Sequence, residues 1–340
     1  MAKKYDVLAL GELLIDFTES GLSAQGNPLL EANPGGAPCN VLAMLKKLGH
    51  TAGFIGKVGQ DMFGQQLREA LEETGISTDG LIMDTEVHTT LAFVHTMPGG
   101  DRDFSFYRKP GADMMLSEAD LKAEMLESCR IFHFGTLSMT DEICRNATKK
   151  AIAAAAEAGA VITFDPNLRE PLWDSLDRAK EQIAYGMSKC RMLKISDNEI
   201  QWFTGEEDFE KGARILQERF PNIDLLLVSL GGDGSLAFSR SAKAFAEAFR
   251  QPNTIETTGA GDTFCACVLH YILEHGMADS VPGNDSDGKS AVSAGCIRDF
   301  SEEELGEMLR FANAAASIVT TRKGALRVMP EKAEVEALLG

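Results

Sequence analysis

Basic residues are scarce in this 340-residue chain: 33 Lys and Arg stand against 51 Asp and Glu, a formal charge of −18. Such a surface repels polyphosphate backbones and anionic lipid, so neither nucleic acid nor a membrane is expected as a partner. An anionic ligand would have to be drawn in locally, by helix N-termini, Mg²⁺ or a few placed cations. Long apolar runs are also missing, since none approaches the roughly 20 residues of a membrane-spanning helix. The opening MAKKYDVLALGELLIDF becomes strand-like, with acidic Asp6, Glu12 and Asp16, and does not read as a signal peptide. A disulfide framework is lacking too. The seven cysteines are odd in number and spread from Cys39 to Cys296, which suits a reducing compartment, and a cytoplasmic location is expected. Cys265 and Cys267 point to different faces of one helix and read as small core residues before metal ligands. No G-x-x-x-x-G-K-[ST] occurs, nor G-x-G-x-x-G after the first strand, which disfavours a Walker-type NTPase and a Rossmann dehydrogenase. Internal repeats are absent.

What is present is a long alternation of short β-rich runs and amphipathic segments, with 44% apolar residues to build a core. Val7–Leu10 precedes a helix over Pro38–Leu48, with proline in its first turn and Gly49 ending it. Phe54–Val58 pairs with Gly64–Thr74, and Ile131–Phe134 with Asp141–Gly159. Val161–Asp165, Met192–Ser196 and Leu225–Ser229 continue the series, each followed by a helical or loop segment. Two last helices are expected over Gly261–Glu274 and Glu302–Thr321. This is the pattern of a mostly parallel sheet covered by helices. Leu91–Thr96 and Asp103–Arg108 stand apart as a hairpin around Pro98-Gly99-Gly100-Asp101, with Leu13–Glu19 as a partner strand. Such a flap is either a lid over a reaction site or an ordinary surface hairpin. The polar, Gly-rich stretch 276–299 reads as a mobile loop between helices, not a domain boundary.

The sharpest local signal is Glu256-Thr257-Thr258-Gly259-Ala260-Gly261-Asp262-Thr263-Phe264. Small residues at 259–261 let successive N–H groups converge at a helix start, forming an anion hole, and Asp262 can reach the same point. A helix N-terminus favours the ionised carboxylate, so Asp262 is expected to be a weak base. On these residues alone, a glycine-dressed helix start with an acidic cap is the favoured explanation of the segment.

Together with Gly35-Gly36-Ala37-Pro38-Cys39-Asn40-Val41, however, it resembles the paired signatures of the ribokinase-like (PfkB) carbohydrate kinases, in the same order and about 220 residues apart. The resemblance spans almost the whole chain. It implies a single domain over 1–340, a three-layer α/β/α sandwich with a small β lid drawn from about 13–34 and 88–112. It also implies an ATP-dependent kinase in which Asp262 takes the proton of the attacking hydroxyl and Gly259, Ala260 and Gly261 hold the transferring phosphoryl. Asp16, Gly35, Gly36, Asn40, Arg108 and Arg169 are implied around the sugar. Lys194, Ser229, Gly231, Gly234 and Asn313 are implied around the nucleotide. Glu199 would act on Mg²⁺ through water, with Ser196 where relatives often have Asn. Glu256 stands where many relatives carry Asp in a monovalent-cation loop, and its longer side chain puts K⁺ activation in doubt.

Gly11–Phe17, Phe106–Met114 and Phe164–Trp173 resemble fructokinases in particular, which makes D-fructose the first substrate to consider. Arg108, Lys109 and Arg169 keep 2-keto-3-deoxygluconate, a carboxylate-bearing sugar, as the runner-up. Arg169 reads equally as a structural residue paired with a carboxylate. Ribose and nucleosides are further alternatives, and a sugar- or nucleotide-binding regulator without turnover stays open as a different class. The lid positions Leu91, Phe93, Phe104 and Phe106 suit either a homodimer interface or the lid's own packing.

Overall fold

The computed structural model describes residues 3–96, 102–277, 283–284, 290–291 and 295–340. The hairpin turn at 98–101 and much of the 276–299 loop therefore lie outside the described residues. The first half of the chain holds β1 (Tyr5–Leu10), β2 (Leu14–Leu22), β3 (Pro28–Gly35), α1 (Ala37–Lys47), β4 (Ala52–Gly59), α2 (Met62–Thr74), β5 (Ser77–Asp84), β6 (Leu91–Thr96), β7 (Arg102–Tyr107) and α3 (Ala123–Glu127). Next come β8 (Cys129–Gly135), α4 (Glu142–Glu157), β9 (Val161–Asp165), α5 (Leu176–Lys189), β10 (Met192–Ser196), α6 (Asp197–Thr204), α7 (Phe209–Arg219) and β11 (Leu225–Ser229). The remainder is β12 (Ser235–Phe238), β13 (Lys243–Ala246), α8 (Ala260–Tyr271), α9 (Glu302–Val319) and α10 (Lys332–Leu339).

Nine of these strands form one sheet in the order β13-β12-β11-β10-β9-β8-β1-β4-β5. It is parallel from β5 to β11 and ends in an antiparallel β12–β13 hairpin. Strand β1 shows why helices must cover both faces. Val7 and Ala9 join the core on one side, Leu8 and Leu10 that on the other, and all four are fully buried. Helices α1, α2, α8, α9 and α10 fill the first layer and α3 to α7 the second. The result is the three-layer α/β/α sandwich, with β1, β9, β10 and β11 all running toward the edge where the site lies.

The lid is a second sheet of four strands, β3-β2-β6-β7. Phe17 of β2 stacks on Phe93 of β6 at 4.9 Å and meets Phe63 edge-on at 5.6 Å, tying the lid to α2. Leu91 packs against the main core. Phe93 thus serves the lid's own packing, and Leu91 the packing of the lid on the main core. Three departures from the sequence reading stand out. Residues 13–34 are assigned to the lid with one strand, and the structure adds β3 as a second, an edge strand that tolerates Pro28 and Pro34. The β12–β13 hairpin is also additional. Finally, the last turn expected in α8 is a π turn over Ile272–Gly276.

Candidate active site

Helix α8 is preceded by its cap residue Gly259, whose φ of 77° lies in the left-handed region that glycine enters at little cost. Its carbonyl accepts both the N–H (2.8 Å) and the Oγ1 hydroxyl (2.7 Å) of Thr263, which fixes the first turn. Asp262 projects from that turn, and its Oδ2 accepts a hydrogen bond from Asn40 Nδ2 at 2.8 Å. Asn40 sits in the first turn of α1, so the two signatures of the sequence meet side chain to side chain. Its Oδ1 is buried with no hydrogen-bond partner among the described residues, an acceptor open to a ligand hydroxyl. Burial raises the Asp262 carboxyl to about 6, outweighing the Asn40 hydrogen bond, and the Asp165 carboxylate adds to the rise. The expectation of a weakened base is thereby corrected: desolvation at the cavity wall exceeds the pull of the helix N-terminus.

Asp262 faces a cavity of about 340 Å³ beneath the lid. Asp16, at the start of lid strand β2, lines it with no ion pair among the described residues. Burial raises its carboxyl to about 7, with Arg169 opposing and Glu256 and Asp262 reinforcing the shift. Gly35 makes room for this carboxylate, because a Cβ there would collide with Asp16 Oδ2. Gly36, Asn40 and Arg169 line the same cavity. Arg169 donates to the Leu168 carbonyl at 3.2 Å and forms no ion pair within 4 Å among the described residues. Lys194 is buried, bound to Asp165 at 2.9 Å, and lies against Gly261 of the anion hole.

Two wall residues escaped the sequence reading. Glu12, known only as an acidic interruption, is 3% exposed, accepts the Ala37 N–H at 2.9 Å at the start of α1, and is raised by burial to about 7. Asn167 holds a φ of 44°, unusual for a non-glycine residue, beside the cavity. Its place after the Asp165-Pro166 turn was the available signal.

A larger cavity of about 670 Å³ lies on the other side of the α8 tip and shares Thr257 and Gly261 with the first. Ser229 at the end of β11, Gly231 and Gly234 form part of its wall, as does Asn313 of α9. The Asn313 amide is fully engaged, donating to the carbonyls of Ala246 and Glu247 and accepting from Ser235 Oγ at 2.9 Å. It shapes the wall by pinning β12 and the end of β13.

Arg108 requires a correction. It is 3% exposed and does not face the cavity. Its Nε donates to Asp113 at 2.7 Å, and the remaining nitrogens to Thr140 Oγ1 (2.9 Å) and the Leu137 carbonyl (2.8 Å). A guanidinium so buried and so committed locks the base of the lid to α4's approach and lies outside the lining of the cavity. Glu199 lies at the start of α6, where Oε2 accepts from Ser196 N (2.8 Å) and Oγ (2.9 Å) in a capping box while Oε1 accepts from Leu168 N (2.6 Å). Glu256 Oε1 is taken up by the Gly324 N–H at 2.8 Å.

Fold and site together form an α/β/α sandwich with two cavities converging on one glycine-rich helix tip. The family model for "pfkB family carbohydrate kinase" matches residues 4–332. The chain is 38% identical over 335 residues to "Probable fructokinase-4" of Arabidopsis thaliana, covering 98% of this chain and 96% of that one. Among solved structures, the fructokinase with bound ATP from Xylella fastidiosa superposes with a TM-score of 0.83 at 28% identity, covering 98% of both chains. The fructokinase from Vibrio cholerae O395 in its fructose-, ADP- and calcium-bound form gives 0.81 at 26% identity over 99% of each. The chain belongs to the pfkB family of carbohydrate kinases, with a ribokinase-like fold. No helix among the described residues is long and apolar enough to cross a membrane.

Proposed function

We propose that this kinase transfers the γ-phosphoryl of ATP to D-fructose, giving fructose 6-phosphate. The observation that carries the reading is the meeting of the two cavities at the α8 tip, with Asp262 on the smaller side and Gly261 shared. Fructose occupies the smaller cavity, where Asp16 and the open Asn40 Oδ1 accept its hydroxyl protons. ATP fills the larger one, its terminal phosphate over the N–H groups of Gly259 and Gly261, while the Ala260 N–H, expected to join them, is donated to the Thr257 carbonyl at 3.2 Å. Asp262, ionised above pH ~6, takes the proton as the sugar oxygen bonds to phosphorus and the bond to the ADP oxygen breaks. The Lys194 ammonium beside Gly261 adds positive charge where the phosphoryl passes.

Mg²⁺, which Glu199 would hold through water, would supply further neutralisation of the transferring group when bound. The donor set fits an ion that keeps most of its waters, since Glu199 Oε1, which accepts only the Leu168 N–H, retains one lone pair while Oε2 is filled by the Ser196 N–H and hydroxyl. The monovalent-cation loop fits less well. Glu256 is already held by Gly324, and activity is expected to be the same in Na⁺ and K⁺ buffers. A homodimer through the lid is favoured by the exposed Leu22, Leu29, Leu30 and Tyr107, and light scattering would test it.

A coupled ADP-release assay with fructose, 2-keto-3-deoxygluconate and ribose tests the substrate. Fructose turnover supports the proposal. Preference for 2-keto-3-deoxygluconate would make Arg169 a carboxylate ligand, and nucleotide binding without product would indicate a regulator.

A further inference from the structure

Helices α1 and α8 carry Asn40 and Asp262 at one end, and at the other end they present a second cluster with no part in phosphoryl transfer. His50 follows α1, His270 lies in the last turn of α8, and Glu274 is four residues on, in the π turn. The His50 Nε2 and His270 Nδ1 atoms are 2.7 Å apart. With a Glu274 carboxylate oxygen they make three donor atoms within 4.8 Å of one another, supplied by segments 220 residues apart in the chain. Burial disfavours the charged form of both imidazoles; one of the two facing nitrogens holds the proton of the 2.7 Å contact, and metal binding moves that proton to the same ring's other nitrogen so that both facing atoms can ligate. The Asp6 carboxylate stands 3.9 Å from His50 Nδ1, on the side away from the cluster, as an outer carboxylate does behind a metal-bound histidine. Two cations also face the group. Arg130 is neutralised by Asp6 at 3.0 Å, and Lys332 lies 3.9 Å from Glu336.

We propose that His50, His270 and Glu274 form a site for a borderline divalent transition-metal ion, Zn²⁺ in the first instance, which clamps the far ends of α1 and α8. Two nitrogens and one carboxylate oxygen are the donor set such ions take, with a fourth position left to water, whereas Mg²⁺ and Ca²⁺ prefer oxygen alone. Metal–nitrogen bonds of about 2.0–2.1 Å in a tetrahedron place the two nitrogens about 3.3 Å apart. The rings must therefore part by about 0.6 Å, exchanging one hydrogen bond for two coordinate bonds. At about 1.5 Å of rise per residue, the site lies about 12 Å along α8 from Asp262. Occupancy braces the two helices without touching either ligand cavity.

Equilibrium dialysis of the full chain against ZnCl₂, without nucleotide, is the test, read as Zn²⁺ per chain and as the shift in melting temperature. The wild-type chain is expected to bind one equivalent and to melt higher with it. His50→Gln and His270→Gln should each weaken binding by more than the about 10–100-fold typical of losing an outer partner. Glu274→Gln should weaken it measurably, and the exposed neighbour His275→Gln should leave it unchanged. Should the histidine variants fold poorly, Glu274→Gln at its exposed position still decides, as does the visible absorption of tetrahedral Co²⁺ in the wild-type chain. No Zn²⁺ uptake by the wild-type chain, or equal affinity in the Glu274→Gln or double-histidine variant, overturns the proposal.

Discussion

Replacing Asp262 by Asn removes a charge and a proton acceptor while keeping the shape and the hydrogen bond from Asn40. A positioned general base contributes about 10²–10⁴-fold, so turnover should fall by that factor, about 3–5 kcal/mol of barrier. Stability should move the other way. Burial lifts the carboxyl from 3.8 to about 6, so the folded state prefers it protonated. Its contribution is fully present below pH ~4 and lost as the pH rises through about 6; above that, the charge weighs against the fold. A rise of that size, in which the attraction to Lys194 and Arg169 is already included, caps this cost at about 3 kcal/mol. Asp262→Asn should therefore melt at or a few degrees above wild type at pH 8, and level with it at pH 4. Fructose phosphorylation measured by coupled assay, beside melting curves at the two pH values, checks both halves. Wild-type turnover in the variant would remove the base, and a lower melting temperature at pH 8 would make Asp262 a structural residue.

Three further outcomes follow from the same geometry. In the wild-type enzyme kcat/KM should fall on the acid side between pH ~7 and ~6, as Asp16 and Asp262 titrate as a coupled pair; a flat profile to pH 5 would contradict it. Gly35→Ala drives a Cβ into Asp16 Oδ2 and should cost about 10² in kcat/KM for fructose while nucleotide affinity, measured by calorimetry, holds. Arg108→Met leaves Asp113 buried and unpaired, and should destabilise by about 3–5 kcal/mol in urea; a raised KM at full stability would return Arg108 to the sugar site.

Much of this architecture is legible in the residues because the signals are local and periodic. The apolar run of β1, the Pro38 and Gly49 boundaries of α1, and the small residues before α8 each act within one or two turns of chain. The features that stay hidden are made by distant segments. Arg108 reads as a free cation until Asp113, Thr140 and the Leu137 carbonyl surround it. Glu12 is one acid among 51 until it meets the start of α1. The basicity of Asp262 depends on a cavity wall that no spacing rule encodes, and β3 is obscured by prolines that only an edge strand accepts. The pairing of His50 with His270 belongs with these, since the packing of α1 on α8 alone creates it.

The central claim is that a carboxylate at the α8 tip meets the sugar while the adjoining main-chain amides meet the phosphate. A crystal structure of the chain with fructose and a non-hydrolysable ATP analogue measures this directly. An Asp262 oxygen is expected within about 3 Å of the attacking sugar hydroxyl, and the terminal phosphate on the N–H groups of Gly259 and Gly261. A sugar bound with its hydroxyls turned away from Asp262, or a terminal phosphate seated elsewhere, would contradict it.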